Sequence, residues 1–257
     1  MGQGDLFGNR STATSKTTGY KSAEDRRDRG AKGNRVNSSE TNTPLTQVID
    51  LSHGAFLDYT PAWLPDELAQ RYMDALLAEI SWQQPNISIA GQSRPIPRLQ
   101  AWYGEQGTTM AYSGRSFRAQ GWHPVLIQIK DAIEACCDAT FNSVLVNLYR
   151  NGQDSVSWHA DDEPEFGPNP TIASVSLGQS RKFSLKPKTV QISQTSKEGE
   201  GGALIPAAKR SARHLELNSG DLLIMRGTTQ ANWVHAIPKQ SRVSSARINL
   251  TFRRVIP

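Results

Sequence analysis

Several things are scarce in this sequence. There are only two cysteines in 257 residues, Cys136 and Cys137, and they are adjacent. Neighbouring cysteines are poorly placed to bond each other, so a disulfide scaffold is excluded and a reducing cytoplasm fits. No apolar run approaches the roughly 18 residues that span a bilayer. Met1 to Asn9 has no apolar core behind a basic start, so no signal peptide is expected. Hydrophobic residues make up 37%, and mean hydropathy is −0.52. That polar excess implies that part of the chain has too little to bury. The length suits one compact domain of catalytic size.

What is present is charge, unevenly placed. The net charge is +5 and the isoelectric point about 9.3. Residues 1–45 hold 8 basic and 5 acidic residues; residues 46–180 hold 7 and 15; residues 181–257 hold 14 and 4. The surplus of the last segment suggests an anionic partner. Residues 1–45 are rich in Gly, Ser, Thr, Asn, Lys and Arg, with almost nothing to bury between Phe7 and Leu45. They are expected to form a disordered basic tail.

The folded part is expected over 46–257. Leu68, Tyr72, Leu76 and Ile80 recur at four-residue spacing and predict a helix over Pro65–Ile80. Pro65 suits its first turn, and Asp66 and Glu67 suit the positive end of its dipole. Val125, Leu126, Ile129 and Ile133 predict a second helix from about Pro124 to Asp138. From Asn142 onward, short segments alternate with period two between Gly, Pro, Asn and Asp. That texture predicts an antiparallel β sandwich or barrel over about 142–257. Residues 193–212 read as a long polar hairpin loop, and no internal repeat is visible.

The chemistry centres on two histidine segments. In Val156-Ser157-Trp158-His159-Ala160-Asp161 an extended chain points His159 and Asp161 the same way. His235, in Trp233-Val234-His235-Ala236-Ile237, could add a third ligand. Two histidines and one carboxylate on one side of a metal form the triad of non-haem Fe(II) oxygenases. Alone, His-x-Asp also fits an ordinary hydrogen-bonded histidine. His53, His123 and His214 have no comparable neighbours and read as structural or exposed. In the last strand Arg247, Asn249, Thr251 and Arg253 share one face, and Ile248, Leu250 and Phe252 the other. The polar face either meets water or clamps a dicarboxylate, because guanidinium forks bind carboxylates in bidentate fashion. Asn147 and Tyr149 share a face in the same manner and can hydrogen-bond an anion, or are simply buried and satisfied.

Together, Asn147-x-Tyr149, His159-x-Asp161, His235 and Arg247-x-Asn249-x-Thr251-x-Arg253 resemble the AlkB family of Fe(II)- and 2-oxoglutarate-dependent nucleobase demethylases. The stretch from about Pro97 to Pro257 looks most similar to the branch of animal DNA and RNA repair demethylases. The similar segments include Ala101-Trp102-Tyr103-Gly104-Glu105, His159-Ala160-Asp161-Asp162-Glu163-Pro164 and Thr229-Gln230-Ala231-Asn232-Trp233. The resemblance implies a double-stranded β-helix, or jelly roll, with supporting helices, and a substrate-recognition part over about 82–122. It implies that His159, Asp161 and His235 bind iron. Arg247, helped by Tyr149, would pair with the distal carboxylate of 2-oxoglutarate, and Asn147, Asn249, Thr251 and Arg253 would complete that site. The family couples decarboxylation of 2-oxoglutarate by O2 to hydroxylation of an N-methyl group, which falls away as formaldehyde.

The same resemblance places Asp162 and Glu163 at the edge of a flipped base and Tyr112 against its face. A carboxylate suits 1-methyladenine or 3-methylcytosine, which are cationic or carry an exocyclic amine. Trp102 and Tyr103 serve either the substrate or the core. Ile89-Ala90-Gly91 makes a weak apolar wedge, so single-stranded DNA is the expected substrate, with RNA as an alternative. Arg181, Lys182, Lys186, Lys188, Lys209, Arg210 and Arg213 are candidates for a phosphate-facing rim. Gln3-Gly4-Asp5-Leu6-Phe7 resembles the peptide with which bacterial repair proteins dock on the DNA sliding clamp. A monomer of the cytoplasm, at the nucleoid if the source is bacterial, is expected. Two alternatives stand beside this reading. One is a 2-oxoglutarate oxygenase acting on RNA, protein or a small molecule. The other is a binding module with a dead metal site.

Overall fold

The computed structural model describes residues 44–89, 91–112, 115–188 and 212–256; the side chains of residue 89 and of residues 110–112 and 115–117 are outside this description. The chain order is β1 (Gln47–Ser52), β2 (Ala55–Thr60), α1 (Asp66–Glu79), β3 (Asn86–Ile89), β4 (Gln92–Pro95), β5 (Leu99–Gly104), β6 (Thr109–Tyr112) and β7 (Arg115–Arg118). Then follow α2 (Pro124–Glu134), β8 (Ser143–Tyr149), β9 (Val156–His159), β10 (Ile172–Gly178), β11 (Arg181–Pro187), β12 (Arg213–Leu217), β13 (Leu222–Gly227), α3 (Thr229–Asn232), β14 (Trp233–Ile237) and β15 (Arg247–Arg253). The predicted polar loop at 193–212 lies almost wholly outside the described residues, as does the tail.

Seven strands form one sheet in the order β1-β2-β13-β10-β15-β8-β5, and four form a second in the order β12-β11-β14-β9. From β8 to β15 the chain shuttles between the two sheets, which is the winding of a double-stranded β-helix. Two short hairpins, β3–β4 and β6–β7, lie in the segment expected to recognise substrate.

Every residue of β15 is buried, so neither face meets water. Its register explains this. β15 lies between β10 and β8, with Arg247 opposite Tyr149 and Asn249 opposite Asn147. Ile248, Leu250 and Phe252 join Val144, Val146, Leu148, Val175 and Leu177 in a core under the helices. Arg247, Asn249, Thr251 and Arg253 point between the sheets with Asn147 and Tyr149. A period-two alternation therefore separates an apolar core from a polar interior, not a core from solvent.

The helices land close to expectation. α1 begins one residue after Pro65, which caps it in an extended conformation, and it ends before Ile80. Its buried face is centred on Ala69, Met73, Leu76 and Ile80, with Leu68 and Tyr72 packed beside it. Each large apolar side chain buried in this way contributes roughly 1.5–3 kcal/mol. α2 stops at Glu134, four residues before the expected end. Just beyond Ile133, Glu134 turns to accept the Phe141 N–H at 2.7 Å. His123 caps α2 by accepting the Val125 N–H at 3.2 Å, which gives it the structural role expected. No helix among the described residues is long and apolar enough to cross a membrane.

Candidate active site

β9 and β14 are adjacent antiparallel strands, and His159 sits directly opposite His235. Their ring centroids are 4.3 Å apart. Asp161 follows β9 by two residues and reaches the same point. Ligand atoms of His159, Asp161 and His235 lie within 4.8 Å of one another, a spacing that suits one metal ion. Asp161 Oδ2 is buried without a hydrogen-bond partner, which is the vacant acceptor a cation requires.

The surroundings prepare these ligands. His159 Nδ1 lies 2.8 Å from the Ser157 carbonyl. A carbonyl can only accept, so Nδ1 carries the proton and Nε2 keeps its lone pair for a metal. Burial pulls the His235 imidazole down to about 3, so it is neutral at physiological pH. Burial alone would push the Asp161 carboxyl up. The Arg253 guanidinium outweighs it, by its charge and its hydrogen bond, and holds that carboxyl down at about 2. Arg253 Nη2 donates to Asp161 Oδ1 at 2.7 Å, with both groups buried.

Two cavities meet at His159, Asp161 and Arg253. The inner one is lined by the polar residues of β8 and β15. Burial pulls the Arg247 guanidinium down to about 10, still protonated at neutral pH. Its Nη2 donates to Ser176 Oγ at 2.9 Å, while Nε and Nη1 are buried without partners. Nε and Nη1 of Arg253 are likewise unpartnered. Orphaned guanidinium donors lining an interior cavity fit a carboxylate ligand. Tyr149 lies with its ring centroid 5.4 Å from the guanidinium carbons of both Arg247 and Arg181. The other expected residues are partly engaged already. Asn249 donates to Ser174 Oγ at 2.7 Å, Thr251 to Asn249 Oδ1 at 3.3 Å, and Asn147 Oδ1 accepts from Arg98 Nε at 2.9 Å. Arg98 lines both cavities and had no sequence signal, because it sits between two prolines and a strand with no partner motif.

The outer cavity is walled by Trp102, Leu145, Phe166 and Glu163. Glu163 Oε2 is buried and unpartnered, and burial pushes the carboxyl up. Asp162, expected beside it, instead points out and pairs with Lys188 at 2.7 Å. Trp102 faces this cavity, whereas its neighbour Tyr103 packs in the core under the helices. The Tyr112 side chain lies outside the described residues, as do Ala90 and the side chain of Ile89.

The expected cationic rim needs one correction. Arg181 is fully buried, and its guanidinium donates to Gln240 Oε1 and to the carbonyls of Asn151, Asp154 and Pro238. It staples two loops, β8–β9 and β14–β15, and does not face phosphate. Lys182, Lys186 and Arg213 are exposed; Lys209 and Arg210 lie outside the described residues.

A double-stranded β-helix that presents two histidines and one carboxylate beside buried arginine donors defines a metal-dependent oxygenase. The comparisons with known proteins agree. The family model described as the 2OG-Fe(II) oxygenase superfamily matches residues 56–253. DNA oxidative demethylase ALKBH2 of Arabidopsis thaliana is 41% identical over 226 residues, covering 85% of this chain and 72% of that protein. Alpha-ketoglutarate-dependent dioxygenase alkB homolog 3 of Homo sapiens is 39% identical over 198 residues, 77% of this chain; the match spans 65% of the human protein's length. DNA oxidative demethylase ALKBH2 of Bos taurus is 32% identical over 232 residues, covering 89% and 78%. The solved structure of OsALKBH1 overlays 81% of this chain and all of that one, at a TM-score of 0.49 and 16% identity. The chain belongs to the 2OG-Fe(II) oxygenase superfamily and, within it, to the AlkB family. Its cofactors are those of the family: Fe(II), 2-oxoglutarate and O2.

Proposed function

We propose that this protein repairs alkylated DNA by oxidative removal of N-methyl groups from 1-methyladenine and 3-methylcytosine, with single strands preferred. In this reading His159, Asp161 and His235 hold Fe(II). Arg247 takes the distal carboxylate of 2-oxoglutarate, assisted by Tyr149. Arg253, Asn147, Asn249 and Thr251 complete the inner cavity, and Arg253 also fixes Asp161. Bound iron supplies the activation of O2 that couples decarboxylation of 2-oxoglutarate to hydroxylation. The residues bind, orient and exclude water. Glu163, with Tyr112 and Asp162, serves the base.

The observation that carries the substrate is the unpartnered Glu163 carboxylate in the outer cavity, beside the metal ligands and between aromatic walls. A cationic methylated base offers that carboxylate the charge and the N–H donors it lacks. The relatives named DNA oxidative demethylase support the same reading. The test is turnover with Fe(II), 2-oxoglutarate and oligonucleotides containing 3-methylcytosine. Formaldehyde and unmodified cytosine are expected, faster from the single strand than from the duplex. Faster repair of the duplex overturns the strand preference. Faster repair of the RNA oligonucleotide moves the function to RNA. Succinate formed without base repair redirects it to another substrate class.

The tail motif is part of the proposal. Gln3–Phe7, outside the described residues, gives the enzyme a hook for a DNA sliding clamp. The Leu6→Ala, Phe7→Ala double variant is expected to lose clamp binding in a pull-down while keeping turnover on free oligonucleotides. Absence of binding by the unaltered protein ends this part of the reading.

A further inference from the structure

The segment Thr229-Gln230-Ala231-Asn232-Trp233 supplies no metal ligand and no wall to either cavity. It forms the short turn α3, which runs directly into β14 and so into His235. The turn is tied down on all sides. The Thr228 hydroxyl donates to the His53 carbonyl at 2.7 Å, and Asn232 Nδ2 donates to Thr228 Oγ1 at 2.9 Å. The Thr229 hydroxyl donates to the Arg226 carbonyl. Gly227 enters at φ +58°, and an added Cβ there would stand 2.0 Å from the Gly54 carbonyl oxygen, so the β1–β2 turn and the end of β13, just before α3, are in close backbone contact.

From this fixed turn the Gln230 side chain points inward and is 1% exposed. Both ends of its amide are used. Nε2 donates to Met225 Sδ at 3.3 Å, and Oε1 accepts the backbone N–H of Asp161 at 2.9 Å. Asp161 needs that acceptor. It lies beyond the end of β9, where the ladder with β14 has already stopped at His159, so no strand partner receives its N–H. Arg253 holds the Asp161 side chain, and Gln230 holds its backbone. Gln230 is also only five residues before His235, on the same stretch of chain.

We propose that Gln230 is a positioning residue for the metal centre. It locks the carboxylate-bearing segment to the histidine-bearing strand, so that Asp161 Oδ2 stays within reach of the imidazoles. This rests on the reading that His159, Asp161 and His235 bind Fe(II). Outer partners of metal ligands typically contribute about 10–100-fold in metal affinity.

The experiment is calorimetric titration of Mn(II) into the metal-stripped full chain, without 2-oxoglutarate or DNA, alongside melting temperatures of the metal-free proteins. Gln230→Met fills the space but offers only a weakly accepting sulfur in place of the amide oxygen, and is expected to weaken Mn(II) binding about 10–100-fold. Gln230→Glu keeps an oxygen facing the Asp161 N–H and is expected to restore most of the affinity. Wild-type affinity in the Met variant, whatever its melting temperature, overturns the proposal. Equal loss in the Met and Glu variants overturns it too, because the acceptor oxygen would then be irrelevant. Should the Met variant not fold, Gln230→Asn, polar but one methylene too short, is expected to show the loss; unchanged affinity there is equally decisive. If the unaltered protein binds no Mn(II), or if His159→Ala binds it as well as the unaltered protein does, the metal-site reading itself fails and the inference falls with it. A normal wild-type titration isolates failure of the Gln230 step alone.

Discussion

Asp161→Ala is expected to lose metal binding and to lower demethylation by more than about 100-fold, since even the outer partners of metal ligands contribute 10–100-fold. Two effects are mixed in that variant. The first is loss of the only carboxylate in the triad. The second is release of Arg253, whose buried guanidinium has Asp161 as its hydrogen-bond partner. Removing one member of a buried ion pair costs about 3–5 kcal/mol, because the other charge is left uncompensated. The metal-free Asp161→Ala protein should therefore melt well below the unaltered one. His159→Ala separates the two effects. His159 is partly exposed and leaves the Asp161–Arg253 pair intact, so it should keep its melting temperature and still lose metal and activity. Retained turnover in a folded His159→Ala protein would sink the triad assignment. An unchanged melting temperature in Asp161→Ala would show that the ion pair adds nothing to the fold.

The second large effect is expected at Arg247, and there stability and function should move in opposite directions. In the free enzyme Arg247 is a buried cation with a single neutral hydrogen-bond partner, Ser176 Oγ, and two unsatisfied donors. Such a group opposes folding, as its lowered proton affinity already indicates. Arg247→Met replaces it with an apolar chain of similar length. The ligand-free variant should melt at or above the unaltered temperature. The Michaelis constant for 2-oxoglutarate should rise steeply. Truncating one partner of a buried charged pair costs about 2–5 kcal/mol, or roughly 30-fold to several thousand-fold. The thermal stabilisation that 2-oxoglutarate gives the unaltered protein should shrink accordingly. A Michaelis constant within about twofold of normal would remove Arg247 from the co-substrate site.

The polar and apolar alternation of β8 and β15 was legible in the sequence because a strand shows both its faces in every second residue. The histidine–aspartate pair and His235 were legible for the same reason, and the register of β9 on β14 brings them together. The first helix was legible to within a residue at each end. β1, β2 and β5 were not. They precede or interrupt the helices, yet β2 pairs with β13 and β5 with β8, far away in the chain, and no local period announces such a partner; β1 joins the sheet only through β2. What each charge does was also hidden. Arg181 and Lys186 look alike in sequence, but one is fully buried and the other lies on the surface of the same strand. Asp162 and Glu163 are neighbours, and a turn of backbone sends one to Lys188 and the other into the cavity. Arg98 stands in no recognisable pattern, and Gln230 lies in a family-like segment that gives it no role; only the tertiary fold gives them partners.

The register of β15 has a consequence for how this enzyme is made. The strand is hydrogen-bonded on both sides, and its two faces carry opposite chemistry. A slip of one residue during folding would turn Ile248, Leu250 and Phe252 into the polar interior and drive Arg247 and Arg253 into the apolar core under the helices. The mispaired chain would bury two unpaired cations in hydrocarbon and could not compete with the native form. Assembly of the site is thereby proofread by the stability of the fold. A molecule that passes that check already has its arginines aimed into the inner cavity, before any metal or ligand arrives.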